Sequence, residues 1–162
     1  MTDHLFVAHR HIVTEHALSA YPPETQHHFR GDPADWLPGR LTMHGGSTFH
    51  MRTRFLGANV TLQYTVGPPW MRGDTATRSL RIEFLERPFG MAWLLPVVEG
   101  ELTLWGDPRP RIRFKGRSVV SGLFGVRMWS ARSLVRGVSA GITDRLSAQA
   151  PPVPPSKASP AR

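Results

Sequence analysis

All eight histidines of this 162-residue chain lie in its first 50 residues, at positions 4, 9, 11, 16, 27, 28, 44 and 50. His9 and His11 are two apart, the spacing at which a strand presents two imidazoles on one face as metal ligands. His28 or His50 could supply a third. No carboxylate stands at a recognisable ligand spacing, so solvated or hydrogen-bonded imidazoles are the preferred reading and no metal site is expected. A second constellation is cationic: Arg111, Arg113, Lys115 and Arg117 share one face of a strand, and with Arg52, Arg54 and Arg81 they could line an anion-binding surface. A solvated sheet face explains the same row. Acids and bases are scarce in the second half: Glu83, Glu86, Glu99, Glu101 and Asp144 show no spacing that commits a pair to acid–base work. Ser121 is not in a G-x-S-x-G elbow. Gly45-Gly46 and Gly137-x-x-x-Gly141 lack a phosphate-loop context.

The elements that must position these residues are legible from period. Leu80, Ile82 and Phe84 alternate with Ser79, Arg81 and Glu83; Leu102 and Leu104 with Glu101, Thr103 and Trp105; Ile112 and Phe114 with Arg111, Arg113 and Lys115. This period of two is that of an antiparallel sheet with one dry face. If Leu104 faces Ile112 across the hairpin tip 106–110, Glu101 falls opposite Lys115 and Trp105 opposite Arg111. Earlier, residues 5–13 read as a first strand. Thr14 is a candidate N-cap for a helix from 15 to about 21 that Pro22-Pro23 interrupts. Residues 24–30 can restart a helix, ended by Gly31, and Asp32-Pro33 starts a turn that holds Trp36 and Leu37 and stops at Pro38-Gly39.

Residues 40–43 read as a short edge strand. Phe49, Met51, Thr53 and Phe55 then alternate with His50, Arg52 and Arg54. Gly57-Ala58 is read as a two-residue hairpin connection, which places Phe55 opposite Val60 and Met51 opposite Tyr64. Val60, Leu62, Tyr64 and Val66 share the apolar face of the returning strand. The stretch 86–96 is an apolar loop or irregular strand. After Gly122 the period changes: Phe124, Met128, Ala131, Val135, Val138, Ile142 and Leu146 form one stripe of a helix reaching about residue 148. Gly137 and Gly141 within it cost about 1 kcal/mol each relative to Ala. Close packing against the sheet would account for them; leaving pocket volume is the functional alternative. Residues 150–162 hold five prolines and little to bury, and read as a disordered tail after a single domain spanning 1–149.

Composition bounds the function. The chain has no cysteine, which excludes disulfides, thiolate metal sites and cysteine nucleophiles. Residues 1–10 lack the apolar core of a signal peptide, and no apolar run is long enough for a membrane span. A cytoplasmic protein is expected. The net charge of +8 is carried almost entirely by Arg, scattered from Arg10 to Arg162. Such scatter suits a GC-rich coding bias better than a nucleic-acid site, and no RNA-reading aromatic motif or helix-turn-helix is present.

The order strand, two short helices, antiparallel strands, long C-terminal helix resembles the START-like superfamily, also called SRPBCC or polyketide cyclase/dehydrase-like. The resemblance spans roughly residues 3–148. It rests on Asp32-Pro33-Ala34-Asp35-Trp36-Leu37-Pro38, on Ser79-Leu80-Arg81-Ile82-Glu83-Phe84 with the stretch 89–105, and on Arg111-Ile112-Arg113-Phe114-Lys115-Gly116-Arg117 with the following Gly-Leu-Phe-Gly. It implies an α+β helix-grip fold: a curved antiparallel sheet of six to seven strands, two short helices after the first strand, and a long C-terminal helix packed on the sheet. Members of the superfamily enclose an apolar cavity between sheet and helix, bind hydrophobic molecules such as lipids or polyketides, and in some cases cyclise or dehydrate polyketides. No universal catalytic residue carries over, and no cofactor is expected.

The first expectation is therefore a binding module for a small hydrophobic molecule. Phe49, Met51, Leu62, Tyr64, Phe84, Leu102 and Phe114 would face Met128, Ala131, Val135 and Val138 around the cavity, although each also suits plain core packing. The second is a cyclase- or dehydratase-like enzyme, for which Tyr64, or His9 or His11, would supply the polar group. Two convergent polar groups in the cavity would argue chemistry; an apolar wall would argue binding. The third is docking on anionic lipid or nucleic acid through the Arg-rich sheet face, nucleic acid being the less expected partner. Oligomeric state is left open.

Overall fold

Alternation along the strands builds one antiparallel sheet, and the change of period builds the helix that covers it. The computed structural model describes residues 8–18, 23–55, 57–85, 96–106, 109–120 and 124–148. Strand β1 (Ala8–Ala17) leads to helix α1 (Pro23–Arg30), a 3₁₀ turn (Pro33–Asp35), and strands β2 (Leu41–Met43), β3 (Thr48–Phe55), β4 (Ala58–Val66), β5 (Trp70–Arg72), β6 (Thr75–Phe84), β7 (Val98–Trp105) and β8 (Arg111–Val120). Helix α2 (Phe124–Ala148) follows. The strands lie in the order β1-β8-β7-β6-β4-β3-β2, with β5 paired to β6. The eighth strand, beyond the six to seven expected, is the three-residue β5, whose residues are all exposed and show no alternation.

Two local expectations change. Glu15 does not open a helix: β1 continues through Ala17, with Glu15 across from Arg113. Its carboxylate takes hydrogen bonds from Arg113 (2.9 and 3.0 Å) and Arg111 (3.2 Å), which hold it in the strand. Pro23 does not interrupt a helix but begins α1, where its missing N–H costs nothing. The other short elements follow the sequence. Gly31 N–H closes α1 on the His27 carbonyl (3.0 Å), and Asp32 caps the 3₁₀ turn by accepting from the Ala34 N–H (3.0 Å). Residues 86–95 of the expected apolar stretch 86–96, and the tail 150–162, lie outside the described residues.

The β7–β8 register is the expected one, with Leu104 across from Ile112, Glu101 from Lys115 and Trp105 from Arg111. The β3–β4 register is two residues away from the expected one: Phe55 faces Ala58, Thr53 faces Val60 and Met51 faces Leu62. The turn places Gly57, at φ +82°, directly before Ala58 rather than first in the loop. An even shift keeps every side chain on its face, so the apolar set still points one way.

That apolar face carries the core. Phe49, Leu62, Tyr64, Leu80, Ile82, Leu102, Leu104, Ile112 and Phe114 are all buried. From α2 come Ala131, Leu134, Val135, Val138, Ile142 and Leu146, and from the 3₁₀ turn comes the fully buried Trp36. Helix α2 rests mainly on β1 and β8, and Thr14 and Ser139 hydroxyls share a hydrogen bond (2.9 Å) across that contact. Arg78 lies in phase with Ala76, Leu80 and Ile82 and is likewise buried. Its Nε donates to the Gly67 carbonyl (3.0 Å) and its Nη1 to the carbonyls of Phe29 (3.0 Å) and Gly31 (2.7 Å). The guanidinium lies 5.6 Å from the Trp36 ring centre. Burial lowers its pKa and Asp32 opposes that effect. One arginine thus satisfies the orphan carbonyls at the end of α1 and ties it to the sheet. Among the described residues, no helix is long and apolar enough to cross a membrane.

Candidate functional site

Because α2 leans on β1 and β8, it stands away from the sheet over β3 and β4. A cavity of about 550 Å³ opens there. Strand alternation sends Met51, Thr53 and Phe55 of β3 and Leu62 and Tyr64 of β4 into its floor. The helix contributes Ser133, Leu134, Gly137 and Val138, and Pro38 with Gly39 closes one end. Trp129, 57% exposed, stands at the mouth one turn before Ser133.

The two helix glycines separate into different roles. A Cβ on Gly141 would meet Pro38 Cβ at 2.6 Å, so that glycine allows the turn after Trp36 to approach the helix. A Cβ on Gly137 would meet nothing within 4 Å: its missing side chain leaves open space at the cavity wall. Close packing explains the first glycine, although against the turn and not the sheet; the second is exposed at the cavity wall.

Of the residues expected around a pocket, Met51, Leu62, Tyr64 and Val138 line this cavity. Phe49, Phe84, Leu102, Phe114, Ala131 and Val135 are buried in the core and do not line it. The Met128 side chain lies outside the described residues. Sequence reasoning missed Ser133, Leu134 and Trp129, which flank the dry stripe of α2. It placed Thr53 and Phe55 on the same face as Met51 without assigning them to the site.

Chemically the wall is poor in acids and bases. Tyr64 is fully buried, and its hydroxyl donates to Met51 Sδ at 3.9 Å. Burial pushes its pKa well above the usual phenol range, so it stays a proton donor and does not act as a base. The other polar side chains that line the space are the hydroxyls of Thr53 and Ser133 and the side chain of Arg54, whose guanidinium donates to the Gly57 carbonyl (3.3 Å). Among the described residues, no histidine or carboxylate lines the cavity.

The remaining constellations resolve elsewhere. His11 is exposed and lies beside Lys115 and Arg117 on the outer face of the sheet, away from the cavity. The His9 side chain lies outside the described residues. Among the described residues, no three His, Asp or Glu side chains are placed to hold a metal ion. The cationic row is largely paired: Arg111 and Arg113 with Glu15, and Arg117 with Glu99 at 2.7 Å. Arg81 lies between Glu83 (3.6 Å) and Glu99 (3.9 Å). Arg111 and Arg113 also stand over the Trp105 ring, 4.8 and 5.0 Å from its centre.

No protein-family model and no curated relative matches this sequence. Solved structures do. The Mll3558 protein from Rhizobium loti superposes with a TM-score of 0.53 at 16% identity, covering 88% of this chain and 97% of that one. Ara h 8.0201 superposes with a TM-score of 0.55 at 12% identity, covering 87% of this chain and 99% of that one. Likeness at such identity is likeness of fold. The sheet order, the short helix after β1 and the long helix laid across the sheet give this chain the helix-grip fold that its sequence resemblance to START-like proteins implied.

Proposed function

We propose that the chain binds a small hydrophobic molecule in the cavity between β3, β4 and α2. The observation that carries this reading is Gly137: a position midway along α2 that lines the cavity, is exposed, and has no side chain although nothing lies within 4 Å of where a Cβ would stand. A volume of about 550 Å³ falls within the range of small-molecule sites, roughly 300–1,000 Å³. Lipid- or polyketide-like ligands fit an apolar wall bearing a few hydroxyls. The enzymatic alternative is weaker, because the titratable groups in the described wall are Tyr64, whose proton is held by burial, and Arg54, a cation that cannot serve as a base. Docking through the basic strand face is weaker still, because most of that row is already paired with carboxylates.

The test is a fluorescence titration with the neutral apolar probe N-phenyl-1-naphthylamine on the native chain and on Gly137→Ala and Gly137→Phe. Binding should saturate near one equivalent and weaken in the order Gly, Ala, Phe, with about a tenfold loss or more for Phe. Equal binding by all three proteins would remove the cavity as the site.

A further inference from the structure

On the opposite face of the sheet, the β2 edge carries a basic groove that the hydrophobic cavity does not explain. Its volume is about 590 Å³, and Arg40, Arg52, His44, His50, Thr42 and Thr61 line it, with Leu85 at one side. The strand register explains the cluster. Leu41 pairs with Met51, so Arg40, one residue earlier, falls beside Arg52. Arg52 pairs in turn with Thr61, while Thr42 pairs with His50 and His50 with Gln63. Like charges set side by side on adjacent strands destabilise a sheet.

Elsewhere on this face Arg81, Arg111, Arg113 and Arg117 each reach a glutamate, and Arg54 donates to the Gly57 carbonyl (3.3 Å). Among the described residues, Arg40 and Arg52 have no ion pair or hydrogen bond, and no carboxylate lines their groove. The imidazoles beside them are ordered. His44 and His50 stack with ring centres 3.8 Å apart. Gln63 Nε2 donates to the Glu83 carboxylate (2.9 Å), which turns Gln63 Oε1 toward His50 Nε2 (3.0 Å). A carbonyl only accepts, so His50 carries its proton on Nε2. Glu83, the nearest carboxylate on this path, is engaged by Gln63 and Arg81.

We propose that this groove is a second binding site, for a phosphomonoester of a small organic molecule. Two unpaired guanidiniums supply the forked donors that suit a dianionic phosphoryl group. The Thr42 and Thr61 hydroxyls add donors at neighbouring positions. The imidazole stack and Leu85 leave flat and apolar surface for the organic part, in a groove far larger than a bare phosphate needs.

The test is an amide-resolved NMR titration of the full chain with phenyl phosphate, with benzenesulfonate as the monoanionic control. Shifts should saturate and cluster at residues 40–44, 50–52 and 61, with phenyl phosphate the tighter ligand. Arg40→Gln/Arg52→Gln should weaken phenyl phosphate about tenfold or more, whereas Arg111→Gln/Arg113→Gln, an equal loss of charge on the same face, should change it by less than about twofold. Circular dichroism establishes that both double variants are folded. Equal losses in the two variants, shifts spread over the whole outer face, or equal binding of the sulfonate would each overturn the proposal.

Discussion

At the scale of single residues, the two glycines of α2 make opposed predictions from one sequence feature. Gly137→Ala places a methyl group in open space and replaces the poorest non-proline helix former with the best. The protein should gain about 0.5–1 kcal/mol, seen as a rise of roughly 1–4 °C in thermal midpoint. Gly141→Ala offers the same helix propensity but drives Cβ to 2.6 Å from Pro38 Cβ, in a ring with little freedom to move away. The overpacking should outweigh propensity and destabilise by about 1–3 kcal/mol. Calorimetry of the two variants side by side decides the matter; a stabilised Gly141→Ala protein would show that the turn after Trp36 does not press on the helix. The sequence offered both explanations for the pair and could not divide them, because spacing along a helix does not tell which residue faces a neighbour and which faces space.

Among elements, legibility followed the strength of the period. The stretches 79–84, 101–105 and 111–115 of β6, β7 and β8 alternate without interruption, and only five residues separate the last two strands, so faces and register could both be read. The β3–β4 register could not: sliding one strand by two residues leaves every apolar side chain on the same face, and only the turn geometry at Gly57 separates the two pairings. The cavity wall was half legible for a related reason. The dry stripe of α2 marks what touches the sheet, whereas a cavity beside the helix is lined by the stripe's flank, and residues such as Trp129 and Ser133 there do not look apolar by period. The extension of β1 past Thr14 was illegible because it depends on partners a hundred residues away. Those partners make a pH prediction. The Arg113 hydrogen bond, reinforced by attraction to Arg113 and Arg111 and opposed by partial desolvation, holds the Glu15 carboxyl below its usual range. A carboxyl depressed in the folded state contributes stability above its unfolded pKa, near 4.5, and loses that contribution as pH falls through the folded value. The pair is exposed, so the contribution is under about 1 kcal/mol. Glu15→Gln should therefore lower stability slightly at neutral pH and flatten the acid limb of a urea-unfolding series between pH 5 and 2, most visibly at low salt; an unchanged limb would show that the bridge does not hold β1 in place.

For the whole molecule, the same pairing decides how the net charge of +8 should express itself. A surface site for a polyanion needs cations that are free to exchange small counterions for phosphates or sulfates. In β8, Arg111, Arg113 and Arg117 are engaged by Glu15 and Glu99, and Lys115 lies across from Glu101. A polyanion would have to displace those carboxylates or accept their repulsion. Retention on heparin should thus report bulk charge and not this strand. Changing Arg111, Arg113 and Lys115 to Gln takes the formal charge from +8 to +5, three of the chain's 20 basic side chains. The salt needed for elution should fall only in proportion, to the same extent as with three Gln substitutions at scattered exposed arginines such as Arg72, Arg109 and Arg136. A much larger loss for the strand variant, in a protein whose circular dichroism is unchanged, would establish the basic face as a binding surface in its own right. It would also mean that Glu15 and Glu99 orient the cations for a polyanion instead of neutralising them.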